Sequence, residues 1–495
     1  MTTRRTASRS RSRHTRRRFS HSPGLCRDRE TNSEGRVQTV TNSCALRGLK
    51  AGNAHDEGSS DPAATGSSGS TMLREQTMRI NELVRQMDEK RWRSLNMIAS
   101  ENIASEAVSE ALASDFANRY LIPEERPECI WDFPNQSYNR EVARITEDLA
   151  KKLFVGEYAD VRPLSGNNIA YIIITSHVPI GGTVFRIPDT CGGHFATVPI
   201  CEREGINVVD IPFDRDTCEI DLEALRSLYR RHRPELIFLD ASMVLFPQPT
   251  AGIRAAVGPE AVISYDASHP LGLIAGQGFA NPLLEGADVV HGSTHKSMFG
   301  PQKGLIVCRE DGEVAAKIRD NITPLFVSNS HVHHIAALGV ALEELDLHGK
   351  VYARQVIRNA QTLAATLDAG NVEVFTTDKG YTQSHQIWAV IGDKDEAYRS
   401  FRALERINIH VNQIKVPFTD RYGFRIGASE LTRRGFKEGD MRQVGELMVR
   451  CIRENAPPAT LLGEVEAFAL SKRRLSYSFD DDAALVEPAP TVALV

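Results

Sequence analysis

No apolar run in this 495-residue chain approaches the roughly 18 to 20 residues of a membrane span, so the body is not read as membrane-embedded. Paired cysteine spacing is missing as well. The eight cysteines (Cys26, Cys44, Cys129, Cys191, Cys201, Cys218, Cys308, Cys451) are scattered, which argues against a disulfide framework or a zinc cage. Free thiols of this kind fit a reducing, cytoplasmic setting, and no metal site is expected. The body also lacks positive charge. Of 59 basic and 64 acidic residues, ten arginines and one acid (Asp28) fall within residues 1–29, which leaves the remainder acidic. An acidic body is a poor nucleic-acid binder. The basic head, "RRTASRSRSRHTRRR", has few apolar residues with which to form an amphipathic face. It reads as a disordered tail without an assigned function, and Met72 or Met78 would serve as alternative starts.

What is present is the composition of an ordinary globular enzyme, 41% apolar and 25% charged. Residues 1–71, basic and then rich in Gly, Ser, Asn and Thr, bury too little apolar surface to fold. A helical arm is expected over 72–95, with Ile80, Leu83, Val84 and Met87 at helical spacing. A second amphipathic helix fits Val142, Ile145, Leu149, Leu153 and Phe154. Both stripes suit packing or subunit contact. A large domain over 96–330 contains six β-rich runs: "GTVFRI", "INVVDIPF", "ELIFLDAS", "AVISYDAS", "ADVVHGS" and "GLIVCRE". Between two of them, "DLEALRSLYRRH" predicts a helix capped by Asp221. Continuous apolar strands alternating with helices imply an α/β fold with a mainly parallel sheet covered on both faces. A smaller α+β domain is expected over 331–458, and a mobile tail over 459–495.

Ligands in such sheets sit at the carboxyl ends of strands. Ser242, Asp266, His269, Thr294 and Lys296 all follow predicted strands. Asp266 and Lys296 are 30 residues apart, enough for one crossover between adjacent parallel strands. A carboxylate beside an amine suits pyridoxal phosphate: the lysine forms a Schiff base and the carboxylate keeps the pyridine nitrogen protonated. Two ordinary surface charges would give the same pair. Three further stretches bear on the choice. "PLSGNN" places Ser165, Gly166 and Asn167 at a helix start, where free N–H groups favour a phosphate, although a plain N-cap looks alike. "CGGHF" holds His194 close to backbone, either as a ring-stacking imidazole or as a core histidine. "GFRIGAS" sets Arg425 among small residues, for a bidentate carboxylate grip or a surface ion pair.

From about Asn96 to Arg450 the chain resembles the serine hydroxymethyltransferases, fold-type I pyridoxal-phosphate enzymes. The resemblance rests on "IASEN" (98–102), "NRY" (118–120), "SGN" (165–167), "GGH" (192–194), "DASHPLGLIAG" (266–276), "STHKSMFGPQKG" (293–304) and "RIGASELTRRG" (425–435). It implies a mainly parallel, seven-stranded-type sheet in the large domain, and pyridoxal 5'-phosphate bound covalently to Lys296. Asp266 would meet the pyridine nitrogen, and His194 would stack on the ring. Ser165, Gly166 and Asn167 would hold the phosphate, with Ser242, His269, Thr294 and His295 around the cofactor. Ser100 and Arg425 would bind the substrate carboxylate. Tyr120 would serve the neighbouring subunit's site, making a homodimer or homotetramer with shared active sites.

The departures matter as much. Where the family has a catalytic glutamate beside the folate, this chain has Ile122, with Glu124 and Glu125 nearby. A glycine that passes close to the folate is Val198, and a phosphate-binding Gly-Gly is Ser328-Asn329. The third phosphate-site residue, a serine in the family, is Asn167. The resemblance therefore implies cleavage or formation of the Cα–Cβ bond of a β-hydroxy amino acid, with the departures counting against tetrahydrofolate. The expected activity is that of an L-threonine aldolase or transaldolase, which passes a glycyl unit to an aldehyde; the alternative is folate-dependent serine (glycine) hydroxymethyl transfer.

Overall fold

A computed structural model describes residues 68–122, 133–454, 456–479 and 481. The basic head, Glu124, Glu125 and residues 482–495 lie outside them. Each of the six β-rich runs forms a strand, and a seventh comes from the short "YAD". In chain order they are β1 (Tyr158–Asp160), β2 (Thr183–Arg186), β3 (Asn207–Asp210), β4 (Leu236–Leu239), β5 (Val262–Asp266), β6 (Val289–Ser293) and β7 (Gly304–Cys308). Their order in the sheet is β1-β7-β6-β5-β4-β2-β3. The five strands β3, β2, β4, β5 and β6 run parallel, and β7 is antiparallel to both β6 and β1.

Every residue of β4, β6 and β7 is buried, as continuous apolar strands require when helices cover both faces. The helix Gly166–His177 leads into β2, and Leu222–His232 carries the chain from β3 to β4. Asp221 caps the latter, its carboxylate accepting from the N–H groups of Glu223 and Ala224.

The smaller unit is an antiparallel sheet of β8 (Gln386–Gly392), β9 (Asn412–Lys415) and β10 (Tyr422–Gly427), in the order β8-β10-β9. A 38-residue helix, Val332–Ala369, packs against both the helix Ser137–Phe154 and the helix Glu438–Ile452. The chain just before residue 97 also joins the smaller unit, where Leu95 and Asn96 pair in parallel with Ile409 and His410.

One feature departs from the sequence reading. The stretch from 459 is not a tail throughout. Pro458–Leu470 is a helix that buries Leu461, Val465 and Ala469, four residues apart, and Tyr477 is buried beyond it. On the arm helix Ser68–Trp92, Ile80, Leu83, Val84 and Met87 are 55–66% exposed, so among the described residues that stripe is left for subunit contact rather than internal packing.

Candidate active site

Asp266 ends β5, and Lys296 stands three residues past the end of the adjacent parallel strand β6. The lysine is carried on a braced turn. Gly300 N donates to Thr294 O at 2.9 Å and Phe299 N to Lys296 O at 3.1 Å. From outside the turn, the Asn102 amide donates to Lys296 O (2.8 Å) and the Tyr352 hydroxyl to Ser297 O (3.0 Å). The Ser297 hydroxyl donates to His269 O, and a Cβ on Gly272 would stand 2.4 Å from Ser297 O, so only glycine lets these backbones meet. The turn is thereby fixed from the amino-terminal segment, from the long helix and from the loop after β5.

Gly192 and Gly193 answer a similar need opposite the lysine. Gly192 has φ +97°, and a Cβ on Gly193 would fall 1.9 Å from Ile187 O. This tight turn bridges to Ala241, and Ser242 N donates to Gly192 O at 2.9 Å. His194 follows, its Nδ1 accepting from Ala196 N at 3.3 Å, which orients the imidazole over the cleft.

The cleft has a volume of about 270 Å³. Nine of the expected site residues line it: Ser165, Gly166 and Asn167 at the start of the helix Gly166–His177, together with His194, Ser242, Asp266, His269, His295 and Lys296. Four others stand elsewhere. Thr294 is fully buried and its hydroxyl donates to Pro301 O at 2.6 Å, so it serves the lysine turn. Tyr120 is 47% exposed, stacks on Phe133 and borders a different cavity. Arg425 lies just outside the lining: Nη1 donates to Ser242 O (3.0 Å) and approaches His269 Nε2 (3.4 Å), while Nη2 donates to Asn412 Oδ1 (3.2 Å). Ser100 follows Ala99, whose carbonyl oxygen meets His385 Nε2 at 3.2 Å; His385 in turn stacks on His269.

Four residues escaped the sequence reading. Asn102 and Tyr352 brace the lysine turn, and Asp240 and Thr197 line the cleft. Asp240 left a trace: "LDAS" at the end of β4 repeats the "YDAS" of β5.

Burial dominates the electrostatics. It pulls the Lys296 ammonium down to about 8, an effect that Asp266 opposes and Arg425 assists. His194 is lowered by burial, His295 to about 4, and His269 well below the ordinary range. These imidazoles are neutral at pH 7. Arg425 falls to about 10 through burial alone, and no acidic side chain pairs with it among the described residues.

The arrangement fits a phosphorylated pyridine aldehyde. One end of the cleft is a helix start whose free N–H groups suit a phosphate. The other end holds an amine of lowered pKa beside a carboxylate. Buried polar atoms stand without a protein partner at His269 Nδ1, His295 Nδ1, Ser293 Oγ and Arg425 Nε. Unpaired buried groups are costly, and these are placed to receive a polar ligand.

Comparison with known proteins agrees. The family model for serine hydroxymethyltransferase matches residues 73–448. The chain is 37% identical over 421 residues to the serine hydroxymethyltransferase of Methanothermobacter thermautotrophicus, covering 82% of this chain and 97% of that one. The Pyrococcus furiosus enzyme of the same name is 35% identical over 412 residues, covering 79% and 95%. Among solved structures, L-threonine transaldolase from Pseudomonas fluorescens superposes with a TM-score of 0.79 at 30% identity, covering 84% of this chain and 98% of that one.

Proposed function

The chain belongs to the serine hydroxymethyltransferase family, and from that premise we propose that it is an L-threonine aldolase or transaldolase, cleaving the Cα–Cβ bond of L-threonine and passing the glycyl unit to an aldehyde. Pyridoxal phosphate supplies the electron sink for that bond cleavage. The chain's own residues do the rest. Lys296 offers an amine that is largely neutral above pH 8 and so can attack a carbonyl carbon. Asp266, at the end of β5, would meet the pyridine nitrogen of the cofactor. Arg425, a buried cation without an acid partner, takes the amino-acid carboxylate and with it fixes which substituent of Cα faces the cleft. His194 covers the cleft as a neutral ring, and one base must accept the β-hydroxyl proton. Tyr120, exposed in the single protomer, serves the neighbouring subunit in a homodimer or homotetramer.

The choice of an aldehyde over folate rests on Ile122. The resemblance calls for a carboxylate there. In its place an aliphatic side chain lines a separate, charged cavity with Arg140, Arg144 and Glu147, and its N–H donates to Gln136 Oε1 at 3.2 Å. The transaldolase likeness supports the same choice. The names of the relatives support the second reading, folate-dependent hydroxymethyl transfer. The deciding experiment is acetaldehyde release from L-threonine by purified protein, with and without tetrahydrofolate and with a second aldehyde added. Release without folate is expected. Serine-to-glycine conversion that depends on tetrahydrofolate, at a rate equal to or above threonine cleavage, would establish the second reading instead.

A further inference from the structure

The cleft contains a second aspartate that the proposed chemistry does not use. The register of β4 on β5 pairs Leu239 with Tyr265, so one residue further Asp240 stands beside Asp266. Neighbouring parallel strands are about 4.8 Å apart, and residues at equal register point to the same face. Both aspartates line the cleft, and both open the sequence Asp-Ala-Ser. Asp240 is 1% exposed. Its Oδ1 accepts from Ile187 N at 3.0 Å and its Oδ2 from the Thr197 hydroxyl.

Its charged and titratable surroundings are unequal to those of Asp266. Lys296 is the cation that Asp266 acts on, and the neutral ring of His194 feels the same carboxylate. On the side of Asp240, Arg186 of β2 feels its charge but is bonded to Asp189 and Asp210, and Cys201 is held as a thiol. Two carboxylates side by side in a buried cleft do not both ionise, and the one without a cation keeps the proton. We propose that Asp240 is the proton-holding partner of Asp266, a positioning residue that keeps the pair at one negative charge and acts on the cofactor through Asp266. Burial raises Asp240 to about 7 against the lowering effect of its hydrogen bonds to Thr197, Ile187 and its own N–H, and the charge of Asp266 adds a smaller raising effect. Above that pH the edge of the cleft gains a second negative charge and holds an anionic ligand less well.

The first test needs no cofactor. Infrared difference spectra of the apoprotein, wild type minus Asp240→Asn, should show the carbonyl stretch of a protonated carboxyl at pH 5 that disappears through about pH 7. Thr197→Val removes a donor to the ionised form, so it should move that midpoint upward; it also serves if Asp240→Asn fails to fold. A wild-type spectrum showing only carboxylate at pH 5, or a midpoint lowered by Thr197→Val, overturns the proposal. The second test rests on the cofactor reading. When apoprotein is titrated with pyridoxal phosphate, the affinity of wild type relative to Asp240→Asn should fall on the order of tenfold between pH 6 and 8. A constant ratio, with the infrared band titrating, overturns the coupling to Asp266. A protein that binds no pyridoxal phosphate at any pH overturns the cofactor reading, and the infrared result still judges Asp240.

Discussion

Arg425→Ala probes the carboxylate grip. The guanidinium is buried, and what holds it in the free protein is weak: a main-chain oxygen, an asparagine oxygen and a neutral imidazole, with Nε unpaired. Burial lowers it to about 10, so it remains a cation at pH 7. A substrate carboxylate would replace those partners with two charge-assisted hydrogen bonds, worth roughly 1.5–3 kcal/mol each. Part of that gain is spent on loosening the contacts to Ser242 and Asn412. The remainder, at about 1.4 kcal/mol per decade, corresponds to a loss on the order of 100-fold or more in glycine affinity. Arg425→Lys keeps the charge without the fork and should fall between. Calorimetric titration of the holoprotein with glycine measures the effect, and visible absorbance confirms that each variant is still loaded with cofactor. Glycine affinity within a few-fold of wild type in a loaded, folded Arg425→Ala protein would refute the reasoning and leave the arginine a structural role.

Other outcomes follow from the same geometry. Borohydride reduction and peptide mass analysis should place the pyridoxyl group on Lys296, and Lys296→Ala should carry none; label elsewhere in that variant would remove the assignment. Because the Lys296 ammonium is lowered to about 8, capture of pyridoxal phosphate by the apoprotein should quicken from pH 6 to 8 and level off above; a rate still rising tenfold per unit at pH 9.5 would show an ordinary lysine. Glu344→Ala leaves Arg433, fully buried and stacked over Phe299 of the lysine turn, without its counter-charge, and should cost about 3–5 kcal/mol in denaturant unfolding; a loss under 1 kcal/mol would mean that the pair is dispensable. Added tetrahydrofolate should not accelerate threonine cleavage, since Ile122 offers no proton and Val198 stands where a glycine gave room. Acceleration would show that Glu124 or Glu125 reaches the site.

The sheet was legible because burial on both faces forces its strands into continuous apolar runs, and six such runs stand between "GTVFRI" and "GLIVCRE". The first strand escaped because three residues, "YAD", carry no period. The helix Pro458–Leu470 escaped for a different reason. Its buried face is only Leu461, Val465 and Ala469, and the charged sequence after it drew the whole stretch toward a tail. Within the cleft, residues at strand ends and in glycine turns could be read, since the carboxyl edge of a parallel sheet collects ligand groups whatever the chemistry. Thr294 shows the limit of that rule: it follows a strand like its neighbours, yet its hydroxyl closes the turn on Pro301 O.

Partnership is the part a sequence does not record. Arg425 could equally have been a surface ion pair; its significance lies in a buried position with no acid beside it among the described residues. Asp266 and Asp240 make the converse point. They end adjacent strands in the same three-residue sequence, and composition gives no reason to treat them differently. What separates them is which side of the cleft holds the cations. Lys296 responds to Asp266, while Arg186, which feels Asp240, is already paired with Asp189 and Asp210. The same residue type thus becomes a charged anchor in one strand and a stored proton in the next, and that difference exists only once β4 lies against β5.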